Sequence, residues 1–201
     1  MMSKGLLIVI SGPSGCGKGT ICEELLNRNK SLSVSVSATT RSPRKGEEYG
    51  ENYFYMDEKK FQEMVDNDEF LEYAFVHNHY YGTPKQFVFE KLKKGEDIIL
   101  EIDVQGALNV KKIYPEGVFI FILPPSIDEL KNRIVKRGTE NLRDIALRLR
   151  NAYEELNKAF EYEYLVINDE VPNAVRKIEA IIIAEKCRAV RQRSVIKSIL
   201  D

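Results

Sequence analysis

The chain has 201 residues, of which 43% are hydrophobic and 30% charged, with a formal net charge of −1. That mix predicts one large globular domain with a packed core and room for small insertions. A near-balanced charge exerts no general pull on nucleic acid or an anionic membrane, so neither is expected as a partner.

Three cysteines, Cys16, Cys22 and Cys187, form no C-x-x-C pair. They predict reduced thiols in a cytoplasmic setting. The start "MMSKG" leads into an apolar run too short for a signal-peptide core or a membrane span.

In chain order, "LLIVI" (6–10) is a continuous apolar run, as for a strand buried on both faces. Residues 20–28 then carry Ile21, Leu25 and Leu26 at helical spacing. From 33 to 95 the rhythm changes. "SVSVS", "NYFYM" and "FLEYAFV" read as short strands. Asp57 caps a helix running through Val65, and Thr83-Pro84 supplies a cap and a first-turn proline for a helix ending near Gly95. Strand candidates resume at 98–102, 118–123 and 164–167. Helices are expected at 105–114, at 127–137 with Ser126 as cap and Gly138 as stop, at 141–159 and at 173–193.

Strand–helix alternation of this kind implies an α/β fold, a parallel sheet core with helices on both faces. The core spans 1–32 and 96–201. The segment 33–95 is a small mixed α+β insertion.

"SGPSGCGKGT" (11–20) follows the first strand and precedes the first helix. Within it, Gly12, Pro13, Ser14, Gly15, Cys16, Gly17 and Lys18 match G-x-x-x-x-G-K, the P-loop pattern for ATP binding. Its glycines let main-chain N–H groups wrap a polyphosphate, and the helix N-terminus adds partial positive charge. Lys18 supplies the charge to the outer phosphates. The next residue is Gly19 rather than Ser or Thr, and the hydroxyl comes at Thr20, so the Mg²⁺ contact on this side is left open. Cys16 is read as a small side chain turned away from the ligand.

A P-loop alone does not separate a GTPase from a kinase. "DVQG" (103–106) satisfies D-x-x-G, but "NKAF" (157–160) has Phe160 where the guanine-reading N-K-x-D needs aspartate. The insertion favours a transferase. "SATTRSPRKGE" (37–47) sets Arg41 and Arg44 three apart, two guanidinium forks suited to one phosphate dianion. Tyr53 and Tyr81 add phenol donors.

At this point "SVSATTRSPRKGE", "YFYM", "EYAFVHNHYYGT", "LEIDVQGA" and "RGTE", in this order, resemble guanylate kinases over about 6–184. The resemblance implies a nucleoside-monophosphate-kinase fold, with a core, a GMP-binding insertion and a mobile lid at about 138–150. It implies transfer of a phosphoryl group from ATP, with Mg²⁺, to GMP and also to dGMP, in purine nucleotide metabolism. Arg41, Arg44, Tyr53 and Tyr81 would hold the GMP phosphate. Glu72, with Thr83 and Ser37, would read the guanine edge, where a carboxylate accepts from N1–H and N2–H and repels adenine's lone pair. Glu101 and Asp103 would lie near the acceptor phosphate and Mg²⁺, with Thr20 on the other side. Arg137 and Arg148 would join Lys18 and Arg41 in stabilising the transferred group. Arg133 is a weaker candidate.

His77 and His79 form H-x-H with nothing to complete a metal site, and are read as solvated. "KCRAVRQRSVIK" (186–197) is read as a solvated basic helix face, its apolar residues leaving monomer and homodimer both open. A protein-binding domain derived from the same fold, without catalysis, and a kinase for another monophosphate are the alternatives.

Overall fold

The computed structural model describes residues 4–44, 46–76, 78–136 and 142–200. Nine strands occur among them: β1 (Leu7–Ser11), β2 (Leu32–Val34), β3 (Ser37–Thr39), β4 (Tyr53–Tyr55), β5 (Phe70–Val76), β6 (His79–Pro84), β7 (Asp97–Glu101), β8 (Val118–Leu123) and β9 (Tyr164–Ile167). The helices are α1 (Lys18–Arg28), α2 (Glu58–Asp66), α3 (Lys85–Lys93), α4 (Val104–Ile113), α5 (Ile127–Lys136), α6 (Leu142–Leu156), α7 (Val171–Lys186) and α8 (Arg193–Leu200).

Five strands form a parallel sheet in the order β2-β7-β1-β8-β9. Its central strands have no polar face because helices cover both sides. On one side Ile8, Ile10, Ile99 and Ile120 pack with Ile21 and Leu25 of α1 and Val175 and Ile178 of α7. On the other, Leu7, Val9, Leu100, Phe119 and Phe121 pack with Val88 and Leu92 of α3 and Ala107 and Val110 of α4. Each such fully buried aliphatic side chain contributes about 1.5–3 kcal/mol. This is the two-faced parallel core that the apolar runs predict.

The second sheet is mixed and ordered β4-β3-β6-β5. Phe61 of α2 stacks on Phe70 and Tyr80 and closes its small core. The period-two run "SVSVS" is not one strand. Leu32–Val34 pairs with β7 in the large sheet, and Ser37–Thr39 pairs with β4 and β6 in the small one. One run thus feeds both sheets, because Ser35 and Val36 carry the chain across.

Two capping expectations hold. Asp57 accepts from the Lys60 N–H at 2.7 Å, and the Ser126 hydroxyl accepts from the Glu129 N–H at 3.1 Å. The Thr83 cap does not form: Pro84 holds the cap position of α3 without a side-chain bond, and the Thr83 hydroxyl goes elsewhere. The single helix expected over 173–193 is broken after Lys186. There Arg188 turns extended, and Arg188 and Arg191 fold back onto the buried Glu185 carboxylate before α8 begins.

Candidate active site

β1 and β7 are neighbours in register, with Ile10 opposite Glu101. Their C-terminal ends therefore lie side by side. The loop after β1 is the glycine-rich segment; β7 ends on Glu101, and the turn after it carries Asp103.

The glycine-rich loop runs from Gly12 to Gly17 and delivers Lys18 as the first residue of α1. Gly12, Gly15 and Gly17 all take positive φ. Gly17 is also a close approach: a Cβ there would lie 2.4 Å from Asn168 Nδ2. That amide donates to the Cys16 carbonyl at 2.8 Å and holds the loop from β9. Arg133 of α5 ion-pairs with Glu129 and donates to the carbonyls of Cys16 (3.4 Å) and Asn168 (3.3 Å), so it braces the same point. Lys18 donates to the carbonyls of Gly12 at 2.6 Å and Pro13 at 3.2 Å. The Cys16 side chain is buried below the loop, and burial pushes its thiol pKa up. Glu155 approaches from α6. Burial raises its carboxyl pKa, and the Lys18 charge and the Ser14 N–H offset that only in part.

Across from the loop, Ser37, Arg41, Arg44, Tyr53, Glu72, Tyr81, Glu101, Ile102 and Asp103 line a cavity of about 340 Å³. Eight of these nine were singled out from the sequence; Ile102 was not. β3 places Ser37, β4 places Tyr53, β5 Glu72, β6 Tyr81, the end of β7 Glu101, and the turn after it Asp103.

At one end the cavity is cationic and phenolic. The Arg41 guanidinium sits over the Tyr53 ring at 5.3 Å, and the Tyr53 and Tyr81 rings meet edge to face at 6.0 Å. The Arg41 orientation comes from Glu47, which no motif marks. Glu47 accepts from both terminal nitrogens of Arg41 at 3.0 Å, from the Arg44 N–H at 2.7 Å and from the Tyr55 hydroxyl at 2.8 Å. The Arg41 pair first, then the Arg44 amide, hold the Glu47 carboxyl at about 2, and the pair raises Arg41 in turn. This bidentate pair fixes the plane of the guanidinium beside the cavity.

At the other end the cavity is acidic, with its carboxylate buried. Glu72 is only 7% exposed, and Thr83, its cross-strand partner, donates to Oε1 at 2.6 Å. Burial pushes the Glu72 carboxyl up to about 7, against the Thr83 bond, and the nearby Asp103 adds to the rise. Asp103 itself caps α4, accepting from the Gly106 N–H at 3.0 Å. Glu101 joins the two halves: it lines the cavity, and its Oε1 lies 3.5 Å from where a Cβ on Gly19 would be.

The chain matches the family model "Guanylate kinase" over residues 4–185. The chain belongs to the guanylate kinase family. It is 60% identical over 198 residues to a guanylate kinase of Caldanaerobacter subterraneus subsp. tengcongensis, covering 98% of this chain and 96% of that protein. It is 58% identical to one from Clostridium tetani, over 94% of this chain and 91% of the other. A crystal structure of guanylate kinase from Anaplasma phagocytophilum superposes with a TM-score of 0.79 at 31% identity, over 98% of this chain and 94% of that one.

Within this family frame, Thr20 is exposed on the first turn of α1, and Arg148 is half-buried on α6. Arg137 lies outside the described residues, as does part of the expected lid at 138–150; from Leu142 that segment is helical. His77 also lies outside them, while His79 opens β6. Among the described residues no cluster of three metal-ligating side chains occurs, and no helix is long and apolar enough to cross a membrane.

Proposed function

We propose that this protein is an ATP:GMP phosphotransferase that makes ADP and GDP and also accepts dGMP. The observation that carries the proposal is the two-ended cavity: Arg41, Arg44, Tyr53 and Tyr81 at one end, and the buried Glu72–Thr83 pair at the other. The first end suits a phosphate dianion. The second suits a purine edge with two N–H donors, which guanine has and adenine lacks. In this reading Ser37 completes the guanine contacts.

ATP lies on the amides of residues 12–20, with Lys18 released from its carbonyl partners to the outer phosphates. The adjacency of β1 and β7 brings donor and acceptor phosphates together at Glu101 and Asp103. Two anions must be held in line against their repulsion. Lys18 and Arg41 neutralise charge on the two sides, and Arg137 and Arg148 would offset charge on the migrating group. Burial of the reaction from water makes GMP the acceptor. No covalent enzyme intermediate is required.

The donor set fits Mg²⁺ of the kind that rests on phosphates and water with one or two protein oxygens. Thr20 and Asp103 would hold it, with Glu101 beside them, and it would offset phosphate charge. The three free cysteines accord with a cytoplasmic setting. ATP and GMP are the partners, as for a monomer or a homodimer without nucleic acid or membrane.

A coupled assay of ADP release with ATP and Mg²⁺ tests the proposal. GMP and dGMP should support turnover; AMP and UMP should not. Equal rates with AMP, or none with GMP, would overturn it, and the second outcome together with tight peptide binding would favour the protein-binding alternative.

A further inference from the structure

Gly106 stands at the third position of α4, where nothing in its backbone asks for glycine. Its φ is not in the left-handed region, and its N–H makes the ordinary capping bond to Asp103. In a helix glycine is the weaker choice than alanine, because it leaves more backbone freedom to be lost on folding. The residue beside it is Ala107, so a methyl group is tolerated next door.

What Gly106 lacks is space. A Cβ built on it would lie 2.7 Å from Glu72 Oε2, 3.1 Å from Glu72 Cδ and 3.4 Å from Glu72 Cγ. All three atoms belong to one side chain, and no backbone atom is among them. The Glu72 carboxylate is thus seated directly on the bare Cα of α4. Its other oxygen is tied to Thr83 on β6. The carboxylate is held at two points, one in the insertion and one in the core.

We propose that Gly106 is a positioning residue for base specificity: the absent side chain sets the depth and tilt at which Glu72 faces the acceptor's purine edge. This rests on the reading of Glu72 as the guanine-recognising acid. A methyl at 106 does not collide with anything rigid. It collides with the flexible end of Glu72, which swings about its Thr83 tether. The fold should survive and the hydrogen-bonding plane should not. Two parallel N–H···O bonds to N1 and N2 need both oxygens in the base plane, and a shift of several tenths of an ångström lengthens one of them.

The test is a double-mutant cycle between Gly106→Ala and Glu72→Ala, read by melting temperature and by kinetics. In the parent, Gly106→Ala should raise KM for GMP about tenfold or more and narrow the preference for GMP over AMP. KM for ATP should stay within about twofold. In the Glu72→Ala background the collision is gone, so adding Gly106→Ala should raise the melting temperature, as alanine for glycine does in a helix. In the parent background it should not.

Unchanged KM for GMP and unchanged base preference in a folded Gly106→Ala variant would overturn the proposal. So would equal melting shifts in both backgrounds, or failure of the variant to fold in both. Failure to fold with Glu72 present, rescued by Glu72→Ala, would support it. The underlying reading fails separately: it does so if Glu72→Gln keeps the parent's GMP preference, whatever Gly106 does.

Discussion

Glu72 is a carboxyl group that the fold makes uncomfortable. Buried and beside Asp103, it titrates at about 7 instead of the ordinary 4.5. A carboxyl raised in the folded state binds more protons than the unfolded chain between those values. Its cost to stability is therefore absent below about pH 4.5, grows through the interval and is complete above about pH 7. The full shift corresponds to an upper bound of about 3 kcal/mol. Glu72→Gln should raise the melting temperature of the ligand-free protein at pH 8, with the gain shrinking towards pH 5, while weakening GMP binding. Equal melting temperatures at pH 8 would contradict this account. The same residue shows what a sequence can disclose. Its role was legible only through the motifs around it, because a lone strand glutamate is normally solvated. Glu47 and Asn168 escaped notice because their partners, Arg41, Tyr55 and Cys16, give no periodicity that marks them. The one available sign for Glu47 was its place three residues after Arg44.

At the scale of elements, the stretch carrying Arg41, Arg44 and Tyr55 gathers on one carboxylate, Glu47, which takes four hydrogen bonds. Glu47→Gln keeps the size but loses the second guanidinium acceptor and the charge. It should raise KM for GMP about tenfold, the weight of one charge-assisted hydrogen bond, and leave KM for ATP unchanged. Equal changes in both would show a general loosening instead. The glycine-rich loop predicts a different split. Asn168→Ala removes the amide that fixes the Cys16 carbonyl and should raise KM for ATP several-fold with little change for GMP, read by steady-state kinetics. Most elements were legible because apolar runs and caps are local signals. Two were not. The strand pair within "SVSVS" was merged, since alternation continues across the crossover and only pairing with β7 divides it. The break after Lys186 was missed, since the helical pattern carries on and the interruption comes from Glu185 gathering Arg188 and Arg191.

At the scale of the whole molecule, the fold accounts for the proposed facing of two binding cradles. One follows β1, the other is completed at the end of β7, and the two strands are paired in register. The insertion is fastened to the core where Glu72 rests on Gly106, and Glu101 reaches from the acceptor cavity to the start of α1. In the proposed reading charge is divided accordingly, with Lys18 on the donor side and Arg41 and Arg44 on the acceptor side. Lys18→Met should cut kcat by about a hundredfold or more, the scale for removing a donor aimed at a transition-state anion, in a protein that still melts cooperatively. The arginine cradle for the acceptor phosphate is the part on which all else depends, and a calorimetric titration of GMP into the parent and into Arg41→Met measures it directly. One GMP site per chain is expected in the parent, and at least a hundredfold weaker binding in the variant. Indistinguishable isotherms for the two proteins would contradict it.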